Sequence, residues 1–416
     1  MASEPNLETG MEQPESVGAF IRARLAQLRG GDTGVLPVVA GLVLLSIIFQ
    51  SQDSAFFSAG NLTNLLVQGA VFILLGMAEV FVLILGEIDL STGFVAGIGA
   101  VITCELAAYP HNLPWWVCIL AGLGATTAIG AVQGTLITRL QLPSFVVTLA
   151  GLLGWQGVLI YLIQSAGSSN GGTIPITNHV LNDIVNGNLS IAAGWIVMAV
   201  VVVAFAALIV RRDLSRRAGG LTASPPVLTL AKIVVLVVIG VGLVLICNTN
   251  RGSLVGLRGI PWVVVLVLAI VAGWSFLLGR TRFGRHLYAI GGNAEAARRA
   301  GISLPWVRTA AFALSGLTSG IAGIVFASRL GSISTDIDGG TLVLYAVAAA
   351  VIGGASLFGG RGKMVHALLG GIVIAAIYNG MGLLGLGAAE QDMVTALVLI
   401  AAVTVDSVAR RGQRAG

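Results

Sequence analysis

The chain has 416 residues, of which 56% are hydrophobic and only 10% are charged, and its formal net charge is +5. Soluble domains carry about 25% charged residues, so this composition excludes an ordinary soluble protein and predicts a polytopic membrane protein. The small positive excess does not indicate a nucleic-acid partner, because in a membrane protein the placement of Lys and Arg matters more than their sum. We therefore expect the lipid bilayer, and no nucleic acid, among its partners.

The beginning of the chain is polar and contains glutamates before any basic residue. A signal peptide has a basic start followed by an apolar stretch, so this segment does not match one. We predict a cytoplasmic leader over residues 1–33, a transmembrane domain over residues 34–411 and a cytoplasmic tail over residues 412–416.

Apolar stretches long enough to cross a bilayer recur along the rest of the chain. About twelve segments approach the 20 residues that a span requires, several of them short: 34–50, 63–85, 91–108, 115–138, 144–164, 191–210, 226–247, 261–278, 307–329, 341–357, 364–386 and 393–409. Clusters of Arg and Lys each follow an even number of these spans, so they lie on one side, which the positive-inside rule assigns to the cytoplasm. The sequence thus predicts a multi-pass protein of the cell membrane with both termini cytoplasmic.

The longest loop on the opposite side, residues 165–190, is polar and rich in Gly and Asn. It is either a docking surface or a solvated connector, and the sequence does not separate these two interpretations.

An unusual stretch, "GEIDLSTG" (86–93), places Glu87 and Asp89 between two apolar spans. A charged side chain at the centre of a membrane helix costs about 2.5–3.5 kcal/mol on insertion scales. Asp and Ser are good N-cap residues, so Asp89 or Ser91 can begin a new helix after a break made by Gly86. Two roles for Asp89 stay open: a structural cap at a buried helix start, or a residue that faces the transport pathway.

A second stretch, "GGASLFGG" (353–360), has the same arrangement without the acids. Gly353 aligns with Gly86, and Ser356 aligns with Asp89. A second glycine, Gly354, directly follows Gly353. Paired interruptions in the two halves of a transporter are the best sequence indication of its pathway. The sequence therefore predicts Gly-broken helices at both places.

The Arg-rich loop 279–309 contains the signals of one short helix. Asn293 suits the N-cap, and Glu295 lies in the first turn, where a negative charge is favourable. Arg299 lies four residues after Glu295 in the favourable orientation, and Gly301 suits the C′ position. A helix of about two turns is not stable alone, so we expect it to dock on something.

Sites for metals, nucleotides or covalent catalysis are not evident. The three cysteines lack a CxxC spacing, the histidines are scattered, and the one Gly-Lys pair, Gly362-Lys363, is followed by Met364 and so does not fit a P-loop. The sequence predicts no metal, no cofactor and no catalytic residue, and therefore a protein that is not itself an enzyme.

Several motifs together resemble the sugar ABC transporter permeases of the ribose and xylose type. They are "GEIDLSTG", "LPSFVVTLAG" (142–151), "FGRHLYAIGGNAEAARRAGI" (283–302), "AAAVIGGASLFGGRG" (348–362), "NGMGLLGL" (379–386) and "AAVTVDSVARR" (401–411). The resemblance covers roughly residues 35–411 in the family's order. The uncharged "TLVLYAV" (341–347) and extra sequence near 211–260 resemble the xylose-type members.

The resemblance implies an all-α bundle of ten to twelve transmembrane helices with a cytoplasmic coupling helix, acting as the permease subunit of an ATP-driven monosaccharide importer. The partners it implies are a cytoplasmic ABC ATPase subunit, an extracytoplasmic sugar-binding protein and a second permease copy. It assigns the ATPase-coupling role to Gly292, Asn293, Glu295, Ala296, Arg298, Arg299 and Gly301. The helix-break or pathway candidates are Glu87, Asp89, Ser91, Gly353, Gly354, Ser356 and Asn379. The rival hypothesis is a gradient-driven secondary transporter in which Asp89 or Glu87 titrates, although such a carrier has no use for an ATPase-docking helix.

Overall fold

The structure, a computed structural model, describes residues 36–166, 172–220, 225–252 and 256–397, together with residues 400 and 404. The predicted leader and tail lie outside the described residues, as does most of the last predicted span, 393–409.

The described residues are almost wholly helical. In chain order the elements are α1 (Leu36–Gln52), α2 (Ala59–Leu83), α3 (Thr92–Ala107), α4 (Trp115–Arg139), α5 (Ser144–Ser165), β1 (Thr173–Pro175), α6 (His179–Asn186), α7 (Ile191–Ala218), α8 (Pro226–Asn248), α9 (Trp262–Arg280), α10 (Arg282–Gly292), α11 (Ala294–Arg299), α12 (Leu304–Leu330), β2 (Ser332–Ser334), α13 (Gly339–Ile352) and α14 (Met364–Leu383). Residues 388–397 are also helical.

The predicted fold class is confirmed. Within the described ranges, 8 helices are long and apolar enough to cross a membrane: α2, α4, α5, α7, α8, α9, α12 and α14. Three shorter apolar helices, α1, α3 and α13, accompany them. Each predicted span up to residue 386 coincides with one of these helices, so the protein is a polytopic helical bundle.

Helix α2 lies at the centre of the bundle and packs against α12, α13 and α14. Every one of its side chains from Gln68 to Leu83 is buried. Small residues bring the surrounding backbones together, since a Cβ at Gly323 of α12 would collide with the carbonyl of Ala96 in α3. In a bilayer such close approach supplies the packing contacts that hold helices together.

Helices α7 and α8 form a pair at the periphery. Their outward side chains are large and apolar, and Val203 and Val238 are 66% and 63% exposed. Apolar residues on the outside of a membrane bundle are suited to lipid, so this hairpin lies at the lipid-facing edge.

Part of the predicted polar loop 165–190 is folded onto the bundle. Strand β1 pairs antiparallel with β2, with Ile174 opposite Ile333. The side-chain amide of Asn186 in α6 donates to the carbonyl of Ser328 at 2.7 Å, and the backbone N–H of Val185 donates to the Ser328 hydroxyl at 3.1 Å. The described part of the loop is therefore a packed element and not simply a solvated connector.

Candidate functional site

The short helix α11 has the N-terminus that the sequence predicts. The side chain of Asn293 accepts a hydrogen bond from the backbone N–H of Ala296 at 2.9 Å. Glu295 binds the guanidinium of Arg298 at 2.9 Å and that of Arg299 at 3.0 Å. These guanidinium groups lower the pKa of Glu295, so its carboxylate stays charged at neutral pH.

The C-terminus of α11 is a Schellman motif. Gly301 has a φ of 81°, and its N–H donates to the carbonyl of Arg298 at 3.0 Å, while Ile302 donates to Ala297 at 3.1 Å. A left-handed C′ residue with this pair of bonds ends a helix sharply, and glycine adopts that conformation without strain. The predicted N-cap, ion pair and C′ glycine are thus confirmed.

The polar surface of α11 faces away from the bundle. Only Ala297 is buried. The other predicted coupling residues are on the exposed side of the helix or beside it: Gly292, Asn293, Glu295, Ala296, Arg298, Arg299 and Gly301. Five of the six residues of this helix are therefore not buried in the bundle.

Helix α10, which precedes α11, is absent from the sequence-based prediction. Its buried side is formed by Gly284, Leu287 and Ile290, while Arg282 and Arg285 are exposed. This is the pattern of an amphipathic helix lying on the end of the bundle. We call this end, where α10 and α11 lie, the α10 end.

Both predicted helix breaks meet α10 at this end. The N–H of Gly360 in the second break donates to the carbonyl of Ile84 beside the first break at 2.8 Å. A Cβ on Gly291 of α10 would collide with that carbonyl and come within 2.8 Å of the Gly360 nitrogen. The hydroxyl of Tyr288 in α10 donates to the carbonyl of Gly362 at 2.5 Å. We call this three-way contact of Ile84, Gly291 and Gly360 the junction.

Asp89 in the first break is buried and hydrogen-bonded on both carboxylate oxygens. One oxygen accepts from the Ser91 N–H at 3.0 Å and from the Ser91 hydroxyl at 2.6 Å. The other accepts from the Ser315 hydroxyl of α12 at 3.3 Å. Ser91 stands at the N-cap position of α3, but its side chain makes no capping bond there and instead accepts from the amide of Gln133 at 2.9 Å.

Ser356 in the second break has the corresponding local contact. Its hydroxyl accepts a hydrogen bond from the N–H of Phe358 at 3.1 Å, as the Asp89 carboxylate does from the N–H of Ser91. In each case a side-chain oxygen binds the backbone two residues later, which is an Asx or ST turn. Gly353 ends α13, and Gly354 has a φ of 111°. The two stretches aligned from the sequence therefore share a turn.

Comparisons with known proteins bear on this arrangement. The family described as "Branched-chain amino acid transport system / permease component" matches residues 61–214 and 234–403, which is more than half of the chain. The chain belongs to this permease family.

Similar permeases from other organisms cover nearly the whole chain. The chain is 35% identical over 388 residues to the xylose transport system permease protein XylH of Escherichia coli (strain K12), covering 92% of this chain and 94% of that protein. It is 35% identical to the protein of the same name from Haemophilus influenzae, over 89% of this chain and 95% of that protein. It is 27% identical to the ribose import permease protein RbsC of Escherichia coli (strain K12), covering 89% of this chain and 92% of that protein.

The family resemblance inferred from the motifs is thereby confirmed, and the permease is a multi-pass membrane protein. No solved structure matches the chain.

Within the permease, the first break is also joined to the beginning of α12 by an ion pair. The guanidinium of Arg308, near the start of α12, lies 3.1 Å from the carboxylate of Glu87. Glu87 is only 11% exposed and Arg308 31% exposed, so water screens this pair less than a fully exposed one.

Asn379 does not lie with the other pathway candidates. It is buried in α14, far along the helix from the second break, and its amide donates to Gln68 of α2 at 3.3 Å. Its carbonyl oxygen accepts from the Asn61 amide at 2.8 Å. A rise of about 1.5 Å per residue places Asn379 some 20 Å along α14 from the second break, towards the opposite end of the bundle, so it is not part of either helix break and its place in the pathway stays a prediction.

Other residues at the site escaped the sequence-based prediction although signals for them existed. The apolar residues Phe283, Leu287 and Ile290 have the three- and four-residue spacing of an amphipathic helix. Gln133 and Arg308 are polar or charged residues within apolar spans, and such residues are candidates for function. Gly291 had no such signal in a chain with 57 glycines.

Proposed function

We propose that this permease is the membrane subunit of an ATP-driven importer of xylose or a related monosaccharide. A separate cytoplasmic ATPase supplies the energy, an extracytoplasmic binding protein delivers the sugar, and two permease copies form the pathway. The names of the similar permeases support the class of substrate. The observation that carries the coupling mechanism is the contact of α10 with both helix breaks.

The exposed side of α11 is the proposed contact with the ATPase. Its hydrogen-bonded ends and its Glu295 ion pairs keep this short helix formed before a partner binds. In this arrangement the α10 end faces the cytoplasm, and both termini lie on that side. A partner that pushes or pulls α11 moves α10, because the two helices follow each other directly and pack together.

The junction then passes that movement to the transmembrane helices. Glycine at position 291 lets α10 touch the ends of both breaks, and no flexible side chain lies between them. Packed elements of this kind transmit small displacements because they do not deform continuously. Movement of α10 therefore shifts α2, α3, α13 and α14 together, which alternates access to the pathway.

The test is sugar uptake by vesicles that contain the permease together with its ATPase and binding protein. We expect Ala296→Trp to displace the ATPase from the exposed side of α11 and to lower ATP-dependent uptake at least tenfold. The permease should still be present in the membrane at its normal level, because Ala296 is exposed. Arg212→Glu, on an exposed part of α7, is the control and should leave both the ATPase content and uptake unchanged.

The outcomes distinguish the proposal from its rival. Normal ATPase binding and uptake in Ala296→Trp would contradict docking at α11. Uptake by the permease alone that stops when the proton or sodium gradient is collapsed would favour a gradient-driven secondary transporter.

A further inference from the structure

A cavity of about 240 Å³ lies at the end of α2 opposite to the junction. It is lined by residues of α2, α12, α13, α14 and the helical segment 388–397, among them Gln68, Phe72, Arg329, Asp338, Tyr345 and Tyr378. It is smaller than the sites of about 300–1,000 Å³ that hold drug-sized ligands. A compact ligand with few heavy atoms matches this size.

One wall of the cavity is aromatic. The rings of Phe72 and Tyr345 have centroids 5.4 Å apart at an angle of 90°. Tyr378 lies edge-on to both, at 5.8 Å from Phe72 and 6.3 Å from Tyr345. These mutual contacts fix the three rings, so the wall is rigid and presents apolar surface together with phenolic hydroxyls.

Several hydrogen-bond donors in the cavity have no partner among the described residues. Gln68 uses its carbonyl oxygen to accept from Asn379, which leaves its side-chain NH₂ group available. The Tyr378 hydroxyl and the Arg329 guanidinium make no hydrogen bond to any described residue. A guanidinium carries five N–H donors, so Arg329 can bind more than one oxygen of a ligand.

Acceptors are present as well. Asp338 accepts from the N–H and the hydroxyl of Thr341 at 2.9 and 2.6 Å, and each carboxylate oxygen has room for a second donor. Asp392 lines the cavity and is exposed. Two carboxylates beside one guanidinium disfavour an anionic ligand. Unused donors, acceptors and an aromatic wall together suit a small neutral molecule with many hydroxyl groups.

We propose that this cavity is a binding site for a monosaccharide on its way through the permease. The proposal rests on the proposed function and adds the place where the sugar is held. The aromatic wall covers the C–H face of the sugar ring, and Gln68, Arg329 and Tyr378 donate to its hydroxyl oxygens. Asp338 accepts from a sugar hydroxyl.

The cavity is lined by the same helices that flank the two helix breaks at the junction. Phe72 and Ile84 are in or directly after α2, and their separation corresponds to about 18 Å along the helix. Tyr345 is in α13, which ends at the second break, and Tyr378 is in α14, which begins after it. The three helices that flank the two breaks at one end therefore carry the aromatic wall at the other, so a shift at the junction changes the shape of the cavity.

The test uses the permease with its ATPase and binding protein in lipid vesicles, with radiolabelled xylose and related sugars as probes. Tyr378→Phe and Arg329→Gln each remove groups that make no hydrogen bond to a described residue, so both variants should fold. We expect each to lower the initial rate of uptake about three- to tenfold, since a hydrogen bond contributes about 0.5–1.5 kcal/mol. Tyr378→Phe should also change the ratio of rates between sugars that differ at one hydroxyl. Tyr161→Phe, on the outer surface of α5 at 69% exposure, is the matched control.

A variant that narrows the cavity from its edge gives a second, independent test. Ala388 lines the cavity and is exposed, so Ala388→Trp adds bulk at its edge without entering a packed core. We expect Ala388→Trp to reduce uptake more than tenfold while ATP hydrolysis stimulated by the binding protein continues. Leu384→Trp adds the same bulk outside the cavity and should leave the rate of sugar uptake unchanged. Wild-type uptake in Tyr378→Phe, Arg329→Gln and Ala388→Trp would overturn the site, whereas absence of uptake of any sugar by the unmodified complex would overturn the proposed function itself.

Discussion

The two helix breaks use the same turn but are connected to the rest of the protein in different ways. In the first break Asp89 binds the N–H of Ser91, and in the second Ser356 binds the N–H of Phe358. The acids of the first break make additional contacts with α12, since Asp89 accepts from Ser315 and Glu87 pairs with Arg308. The second break has no acid in its turn, and four of its eight residues, 353–360, are glycine.

The second break is attached to α10 through its backbone. The carbonyl of Gly362 accepts from the Tyr288 hydroxyl, and Gly360 lies against Gly291. The comparison of the two breaks separates the requirement for the turn from the requirement for a negative charge, which Asp89 meets together in the first break. The turn needs only a side-chain oxygen, whereas the negative charge serves contacts between the first break and α12.

The largest expected effect comes from a change at the point where both breaks meet α10. In Gly291→Ala the new methyl group would collide with the Ile84 carbonyl, so α10 must move away from the junction. We expect a loss of about 1–3 kcal/mol in stability, as for other overpacked sites, and a drop of more than tenfold in ATP-dependent uptake. Thermal unfolding in detergent and uptake in vesicles measure the two effects.

The neighbouring glycine supplies the control. A Cβ at Gly292 meets no atom within 4 Å. Since Ala is better than Gly in a helix by about 1 kcal/mol, Gly292→Ala should be neutral or slightly stabilising. Equal unfolding midpoints for Gly291→Ala and Gly292→Ala would show that a side chain at position 291 does not strain the junction.

A smaller effect is expected when the first break is made to resemble the second. Asp89→Ser keeps an oxygen for the N–H of Ser91, whereas Asp89→Ala leaves that buried donor without its partner. We expect Asp89→Ala to be less stable than Asp89→Ser by about 1 kcal/mol, the typical contribution of one hydrogen bond. The unfolding midpoints of the purified variants give this difference. If the two variants were equally unstable, the charge of Asp89 and not the turn would be the essential feature.

The smallest effect concerns the ion pair between Glu87 and Arg308. Because Arg308 is about one-third exposed, we expect a coupling energy of only about 0.5–1 kcal/mol. A double-mutant cycle of Glu87→Gln, Arg308→Gln and the double variant measures it. The double variant should be more stable than the sum of the single changes predicts, and strict additivity would mean that the two side chains do not interact.

Local features of this permease could be predicted from the sequence, whereas contacts between distant segments could not. The spans follow from runs of apolar residues, and α11 follows from Asn293, the Glu295–Arg299 pair and Gly301, all within nine residues. The alignment of Asp89 with Ser356 also identified a shared turn. Each of these depends on residues close together in the chain.

The junction depends on segments far apart in the chain, near residues 84, 291 and 360. Nothing in one sequence with many glycines distinguishes Gly291, which touches two other backbones, from Gly292, which touches none. For the same reason the sequence did not show that Asn379 lies at the other end of α14 from the second break, where it binds Gln68 of α2. The cavity likewise required five separate helical segments to be placed side by side.

The burial of α2 has a consequence for the order in which this protein is made. Helix α2 carries Gln68 and Glu79 in its buried surface, yet the first of the three helices that cover it, α12, begins about 220 residues after α2 ends, and α13 and α14 follow later. At about 5–20 residues per second, synthesis of the intervening chain takes roughly 10–40 s. Glu79 meets its partner Thr92 in the next helix, but during that interval Gln68 is in the bilayer without its final partner, Asn379 of α14. We therefore expect chains that stop before residue 304 to be recognised as incomplete by the cell's membrane quality control.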